Sequence, residues 1–167
     1  MTANDSARAP RELIITFLDL SFFTKDAGAK GDDERVADII DAYYERVAEH
    51  VAPAGGSAIK FIGDGALVVF PPDRADDAVV ALLALKRNVD VWLATEGWES
   101  RLIVKAHCDV VIAGEFGAKG DKRFDVIGNA VNVAASLPTR SFVLSPQVLR
   151  LLSPAVRAQF DAAVIGR

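Results

Sequence analysis

Two aspartates stand in surroundings that give a carboxylate little reason to be there. Asp19 lies near the end of LIITFLDL, residues 13–20, a short run of apolar and β-branched residues. Asp64 sits between Gly63 and Gly65 in IKFIGDGALVVF, residues 59–70, where two apolar segments meet at a glycine turn, and Lys60 is a further charge inside the first of them. A buried strand rarely holds an ionised group without a partner, because taking the charge out of water is costly. Brought side by side, two carboxylates raise each other's pKa unless a cation neutralises them. A divalent ion does so through hard oxygen ligands, and Mg²⁺ typically takes one or two carboxylates together with substrate phosphates. Asp19 and Asp64 are therefore a candidate metal pair, the alternative for Asp64 alone being an ordinary turn aspartate.

The elements that must bring them together are legible in outline. Leu13 to Leu20 has the pattern of a buried strand. After the polar stretch KDAGAKGDDE, expected to be a loop, Val36, Ile39, Ile40, Tyr43, Val47 and Val51 recur at helical spacing, with Asp32 or Asp33 as N-cap and Pro53 with Gly55-Gly56 as the stop. The two halves of IKFIGDGALVVF read as a hairpin turning at Gly63-Asp64-Gly65, ended by Pro71-Pro72. Ala78, Leu82, Leu85, Val89 and Trp92 form the stripe of a second helix, and Leu102 to Val111 returns to strand. This order, strand, helix, strand, strand, helix, strand, is the ferredoxin-like βαββαβ arrangement of an α+β fold, an antiparallel-rich sheet with helices on one face. Its two central strands carry Asp19 and lead out of the Asp64 turn. Beyond them, the loop GEFGAKGDKR precedes FDVIGNAVNVAASLP, read as a short helix capped by Asn129 and ended by Pro138, then a strand at Phe142–Leu144 and the helical PQVLRLL.

Composition limits the function classes. With 167 residues and 51% hydrophobic content the chain can bury a core as one domain, here placed at 11–167 after a disordered segment at 1–10. A formal net charge of −4 supplies no basic field for nucleic acid or anionic lipid. Cys108 stands alone and reads as a small buried hydrophobe, His107 as a satisfied core histidine, and Lys119, Lys122 and Arg123 as a solvated loop. The N-terminal residues lack an apolar targeting segment and no run approaches a membrane span, so a cytoplasmic location is expected, with no membrane partner.

In order and spacing, FLDLSFFT, KFIGDGALVVF and FDVIGNAVNVAA resemble the three signature segments of the class III nucleotide cyclase catalytic domain, over roughly residues 11–153. The resemblance implies an adenylyl or guanylyl cyclase acting in signal transduction. By position, Asp19 and Asp64 match the family's metal-binding aspartates, which hold two Mg²⁺ or Mn²⁺ ions on the triphosphate. Lys60 and Asp125 match the pair that reads the purine, and Asn132 the residue that orients the ribose. Adenine offers a ring-nitrogen acceptor to a lysine and an amino donor to an aspartate, whereas guanine presents the opposite polarity, so this pair implies ATP. The plain alternatives are a Lys60 snorkelling from a sheet edge and a solvated Asp125. The resemblance further implies a homodimer whose sites take metal aspartates from one subunit and base readers from the other.

Three departures bear on turnover. The family's transition-state arginine, one helical turn after Asn132, is replaced by Ser136, with Arg140 nearby in sequence. Phe22 stands where a glycine commonly lets the backbone approach phosphate. The chain ends in VIGR without the C-terminal strand pair that often brings a phosphate-binding lysine. A degenerate cyclase-like nucleotide-binding domain with little turnover is the alternative expectation, and a guanylyl cyclase a lesser one.

Overall fold

LIITFLDL is apolar almost throughout because the strand it forms is covered on both faces, which removes the alternation of a half-exposed strand. In the computed structural model, which describes residues 7–165, β1 (Ala9–Leu20) lies at the centre of a six-stranded sheet. Ile14 and Leu18 face one core, and Ile15 and Phe17 the other. β1 already begins at Ala9, inside the segment expected to be disordered, while residues 1–6 of that segment fall outside the described residues.

The strand order is β2 (Ser57–Ile62), β3 (Gly65–Phe70), β1, β4 (Leu102–Ala118), β5 (Asp121–Ile127), with β6 (Phe142–Leu144) paired parallel to β4. The first four strands reproduce the expected ferredoxin-like order, antiparallel throughout. On one face lie α2 (Asp33–Val51) and α3 (Ala75–Thr95), joined by α5 (Pro146–Leu151) and α6 (Pro154–Ile165). The expectation of helices on one face holds for these. The short α4 (Asn129–Ser136) instead packs on the opposite face, where Ala130 and Ala134, one turn apart, meet Ile15, Val111 and Ala113. Two alanines on one side of a helix let it lie close to a sheet.

Local chemistry explains most boundaries. Asp32 caps α2 by accepting from the Arg35 N–H at 3.0 Å. Gly56 closes the return to β2 because a Cβ there would lie 2.4 Å from the buried Phe70 ring. Gly63 takes φ 57° in the two-residue turn between β2 and β3, the first central position of a tight hairpin.

Four expectations are corrected. KDAGAK is not a loop but most of a helix, α1 (Phe23–Lys30), held by tertiary contacts that outweigh its weak propensity. Phe23 stacks on Trp98 with ring centroids 5.1 Å apart, and the buried Asp26 carboxylate accepts from both the N–H and the hydroxyl of Ser100. GEFGAKGDKR forms the paired arms and turn of a β4–β5 ribbon, whose polar residues face solvent and so gave no hydrophobic signal. Gly117 fits that pairing because a Cβ would lie 2.4 Å from the Asp121 carbonyl oxygen. Asn129 does not cap α4; Gly128 holds the cap position and Asn129 is the first helical residue. His107 is buried, but its Nδ1 finds no hydrogen-bond partner among the described residues. Among those residues no helix is long and apolar enough to cross a membrane.

Candidate active site

Asp19 is the penultimate residue of the central strand, opposite Ile103 of β4. On its other side β3 pairs Ala66 with Leu18, which brings the Gly63-Asp64 turn alongside. Gly65 leaves room there: a Cβ would meet the Leu18 carbonyl at 3.5 Å and Asp19 Oδ1 at 3.9 Å. Tyr44 of α2 fixes the turn from below, donating its hydroxyl to the Gly63 carbonyl at 2.6 Å and stacking on Phe61 at 4.1 Å.

Asp19 feels its neighbour's charge. Burial foremost, then the charge of Asp64, raises the Asp19 carboxyl above its ordinary 3.8, while Lys105 and a backbone hydrogen bond at Leu20 act in the opposite sense. Tyr43, buried beneath the site, is raised far above its ordinary 10, mainly by burial and then by Asp19 and Asp64. Among the described residues no cluster of three or more His, Cys, Asp or Glu forms a metal cage. The donors are the carboxylates of Asp19 and Asp64. That donor set fits a hard divalent cation whose remaining ligands are water and phosphate, and it does not fit a soft or tetrahedral metal site.

Lys60 and Asp125 come from β2 and β5, at opposite ends of the main strand order, yet Lys60 Nζ lies 2.6 Å from Asp125 Oδ2. The sheet must curl to achieve this. A register irregularity between Ala58 and Lys60 helps, since a bulge bends its strand and re-aims the side chain that follows. The other oxygen, Asp125 Oδ1, accepts from the Val126 N–H at 2.8 Å, so the carboxylate is held in place.

A cleft of about 420 Å³ opens over this region, lined among others by Phe17, Asp19, Lys60, Lys105, Val131 and Ala135. Lys105, on β4 opposite Phe17, was not singled out by sequence reasoning. A lone lysine in an apolar strand was the available signal, the same one that had marked Lys60. Asn132 and Ser136 do not line the cleft: α4 turns Val131 and Ala135 to it and leaves Asn132 and Ser136 exposed. Arg140 lies exposed in the loop after α4, its N–H bonded to the Pro138 carbonyl at 2.9 Å.

Comparison with known proteins follows the same line. No family model matches the sequence. The chain is 26% identical over 96% of its length to the photoactivated adenylate cyclase subunit alpha of Euglena gracilis, covering 17% of that protein. It is 28% identical over 87% of its length to adenylate cyclase 2 of Rhizobium meliloti, covering 43% of it. It thus spans less than half the length of these relatives. Among solved structures, the adenylyl cyclase CyaB from P. aeruginosa superposes with a TM-score of 0.79 at 20% identity, over 87% of this chain and 82% of that one. The guanylate cyclase domain of RhGC from Catenaria anguillulae, in complex with GTP, superposes with a TM-score of 0.77 at 18% identity, over 87% and 85%. Sheet order and core agree with these neighbours: the chain has the fold of the adenylyl and guanylyl cyclase catalytic domains and resembles adenylate cyclases in sequence. Because both adenylyl and guanylyl cyclases share the fold, the fold itself does not choose the purine.

Proposed function

We propose that this domain is an adenylyl cyclase, converting ATP to 3′,5′-cyclic AMP and pyrophosphate. The observation that carries the choice of purine is the Lys60–Asp125 pair at 2.6 Å. One donor and one acceptor meet at a single point, matching a ring-nitrogen acceptor beside an amino donor on the adenine edge. Guanine would set a donor against the ammonium and a carbonyl against the carboxylate, two mismatches at once. Until the base arrives, each group satisfies the other's charge.

Asp19 and Asp64 would hold two divalent ions, Mg²⁺ or Mn²⁺, which would supply neutralisation of the triphosphate and a lowered pKa for the ribose 3′-hydroxyl. The chain's own residues position the reactants. The ribose 3′-hydroxyl gives up its proton to solvent as its oxygen bonds to the α-phosphorus, the bond to the pyrophosphate oxygen breaks and pyrophosphate leaves, and no protein nucleophile enters. Asn132 is assigned to the ribose. Its exposure on the side of α4 away from the Asp19 cleft supports a composite site, in which it serves the cleft of a second copy. Val110, Ile112, Ile127 and Val133 are exposed apolar residues on β4, β5 and α4, as a homodimer face requires.

A second reading keeps the fold with little turnover. It is favoured by Ser136, which places a small exposed hydroxyl where the resemblance implies an arginine. Product analysis with ATP and GTP, each in Mg²⁺ and in Mn²⁺, separates the readings. Cyclic AMP that disappears in Asp19→Ala and Asp64→Ala supports the proposal; nucleotide binding without any cyclic product supports the degenerate domain. Cyclic GMP as the main product would overturn the assignment of the Lys60–Asp125 pair. For the composite site, inactive Asp19→Ala and Asn132→Ala chains allowed to exchange should regain activity, and no recovery in demonstrated heterodimers would refute it.

A further inference from the structure

At one end of the cleft the neighbouring β3, β1 and β4 segments bring an ordered set of charges together. Asp64 stands in the turn that leads into β3, Asp19 on β1, and Lys105 on β4, so the Asp19 carboxylate has a like charge on one side and a cation on the other. The two cations lining the cleft differ in their engagements. Lys60 is bonded to the Asp125 carboxylate, whereas the Lys105 ammonium rests on two neutral oxygens, the Ala135 carbonyl at 3.3 Å and the Thr139 hydroxyl at 3.1 Å. Those bonds are long or weak for an ammonium, and a phosphate oxygen offers a stronger, charge-assisted one. Ala135 itself lines the cleft, so the ammonium lies at its wall.

We propose that Lys105 is a phosphate-binding residue of the cleft, leaving the end of α4 to bond the polyphosphate chain of the nucleotide. This rests on the reading of the site as a nucleoside triphosphate site and goes beyond it, supplying from β4 a cation that Ser136 does not supply from α4. The competing account is structural: a cation at the C-terminal carbonyls of α4 stabilises the helix.

The two accounts separate by binding, without turnover. Inorganic tripolyphosphate with Mg²⁺ is titrated into the wild-type domain and into Lys105→Gln, Lys105→Arg, Thr139→Val and Asp19→Ala by calorimetry. Glutamine keeps a donor for Ala135 and Thr139 but loses the charge. Lys105→Gln should weaken tripolyphosphate binding about 10- to 100-fold, the range for one hydrogen bond to a charged group, and leave adenosine binding unchanged. Lys105→Arg should remain within a few-fold of wild type. Thr139→Val, which removes a resting partner of the ammonium, should bind as tightly or more tightly; it decides the matter if Lys105→Gln does not fold. Equal binding by wild type and Lys105→Gln, with binding lost in Asp19→Ala, overturns the role of Lys105 and leaves the site intact. Weaker binding by a folded Thr139→Val also overturns it. Failure of the wild type to bind tripolyphosphate overturns both readings.

Discussion

Lys86→Met tests how the scaffold holds Asp19 in place. Lys86 on α3 is 3% exposed, and its ammonium bonds both the Asp90 carboxylate, at 2.9 Å, and the Leu102 carbonyl. Asp90 in turn accepts from the Leu102 N–H at 2.8 Å. An ion pair one helical turn apart thus satisfies both backbone groups of the first residue of β4, which lies opposite Leu20 and next to the partner of Asp19. Methionine keeps the length of the side chain, so little cavity is created. What is lost is the cation: a carboxylate 13% exposed loses its ammonium and a carbonyl loses its donor. Breaking one side of a buried pair costs about 3–5 kcal/mol. At roughly 2–4 °C per kcal/mol for a domain of this size, the melting temperature should fall by about 6–20 °C. Lys86→Met/Asp90→Asn removes the stranded charge while keeping an acceptor for Leu102, and should regain about 1–2 kcal/mol over the single variant. Urea unfolding followed by far-UV circular dichroism measures all three chains. A loss below about 1 kcal/mol in the single variant, or no gain in the double, would refute the claim that this pair anchors β4.

Phe22 is the one non-glycine residue with positive φ among the described residues, at 59°, and is 71% exposed. Phe22→Gly should relieve about 1–2 kcal/mol of left-handed strain against about 1 kcal/mol of added chain entropy, so thermal unfolding should show no loss and up to a small gain; a clear destabilisation would mean the ring packs on something essential. The raised Asp19 carboxyl binds its proton more tightly folded than unfolded. Its favourable contribution is therefore complete below about pH 4 and is lost as pH rises through the raised value, so at neutral pH Asp19→Asn should melt higher than wild type in chelator, an advantage that shrinks in acid. With Mn²⁺ and ATP at about 100 times Kd the order should reverse, wild type gaining about 2.7 kcal/mol that the variant does not. Lys60→Glu with Asp125→Gly should shift the kcat/KM preference from ATP towards GTP, and unchanged discrimination would sink the purine assignment. Burial pushes the Cys108 thiol up to about 11, so alkylation at pH 8 should be slow in the native domain and fast in urea.

The sequence by itself determined the elements whose burial pattern is regular. The stripe from Val36 to Val51, the continuous apolar run before Asp19 and the glycine hairpin at Gly63-Asp64 each carry a local signal, because hydrophobic periodicity and turn chemistry act over a few residues. From these the βαββαβ order followed, and with it the adjacency of Asp19 and Asp64 on neighbouring strands. Contacts distant along the chain left no such mark. Phe23 on Trp98 and Asp26 on Ser100 turn KDAGAK into helix, and pairing with β5 extends β4 through residues that look like loop. The same holds within the site. Lys60 and Asp125 are 65 residues apart and meet only because the sheet curls and β2 is bulged, while Lys105 enters the cleft because β4 runs beside β1 in a particular register. A one-residue slip would turn Lys105 to the opposite face. Residue types and local periodicity are properties of short segments; the register of distant strands and the curvature of the sheet are set by the whole core, and those decided which charges share the cleft.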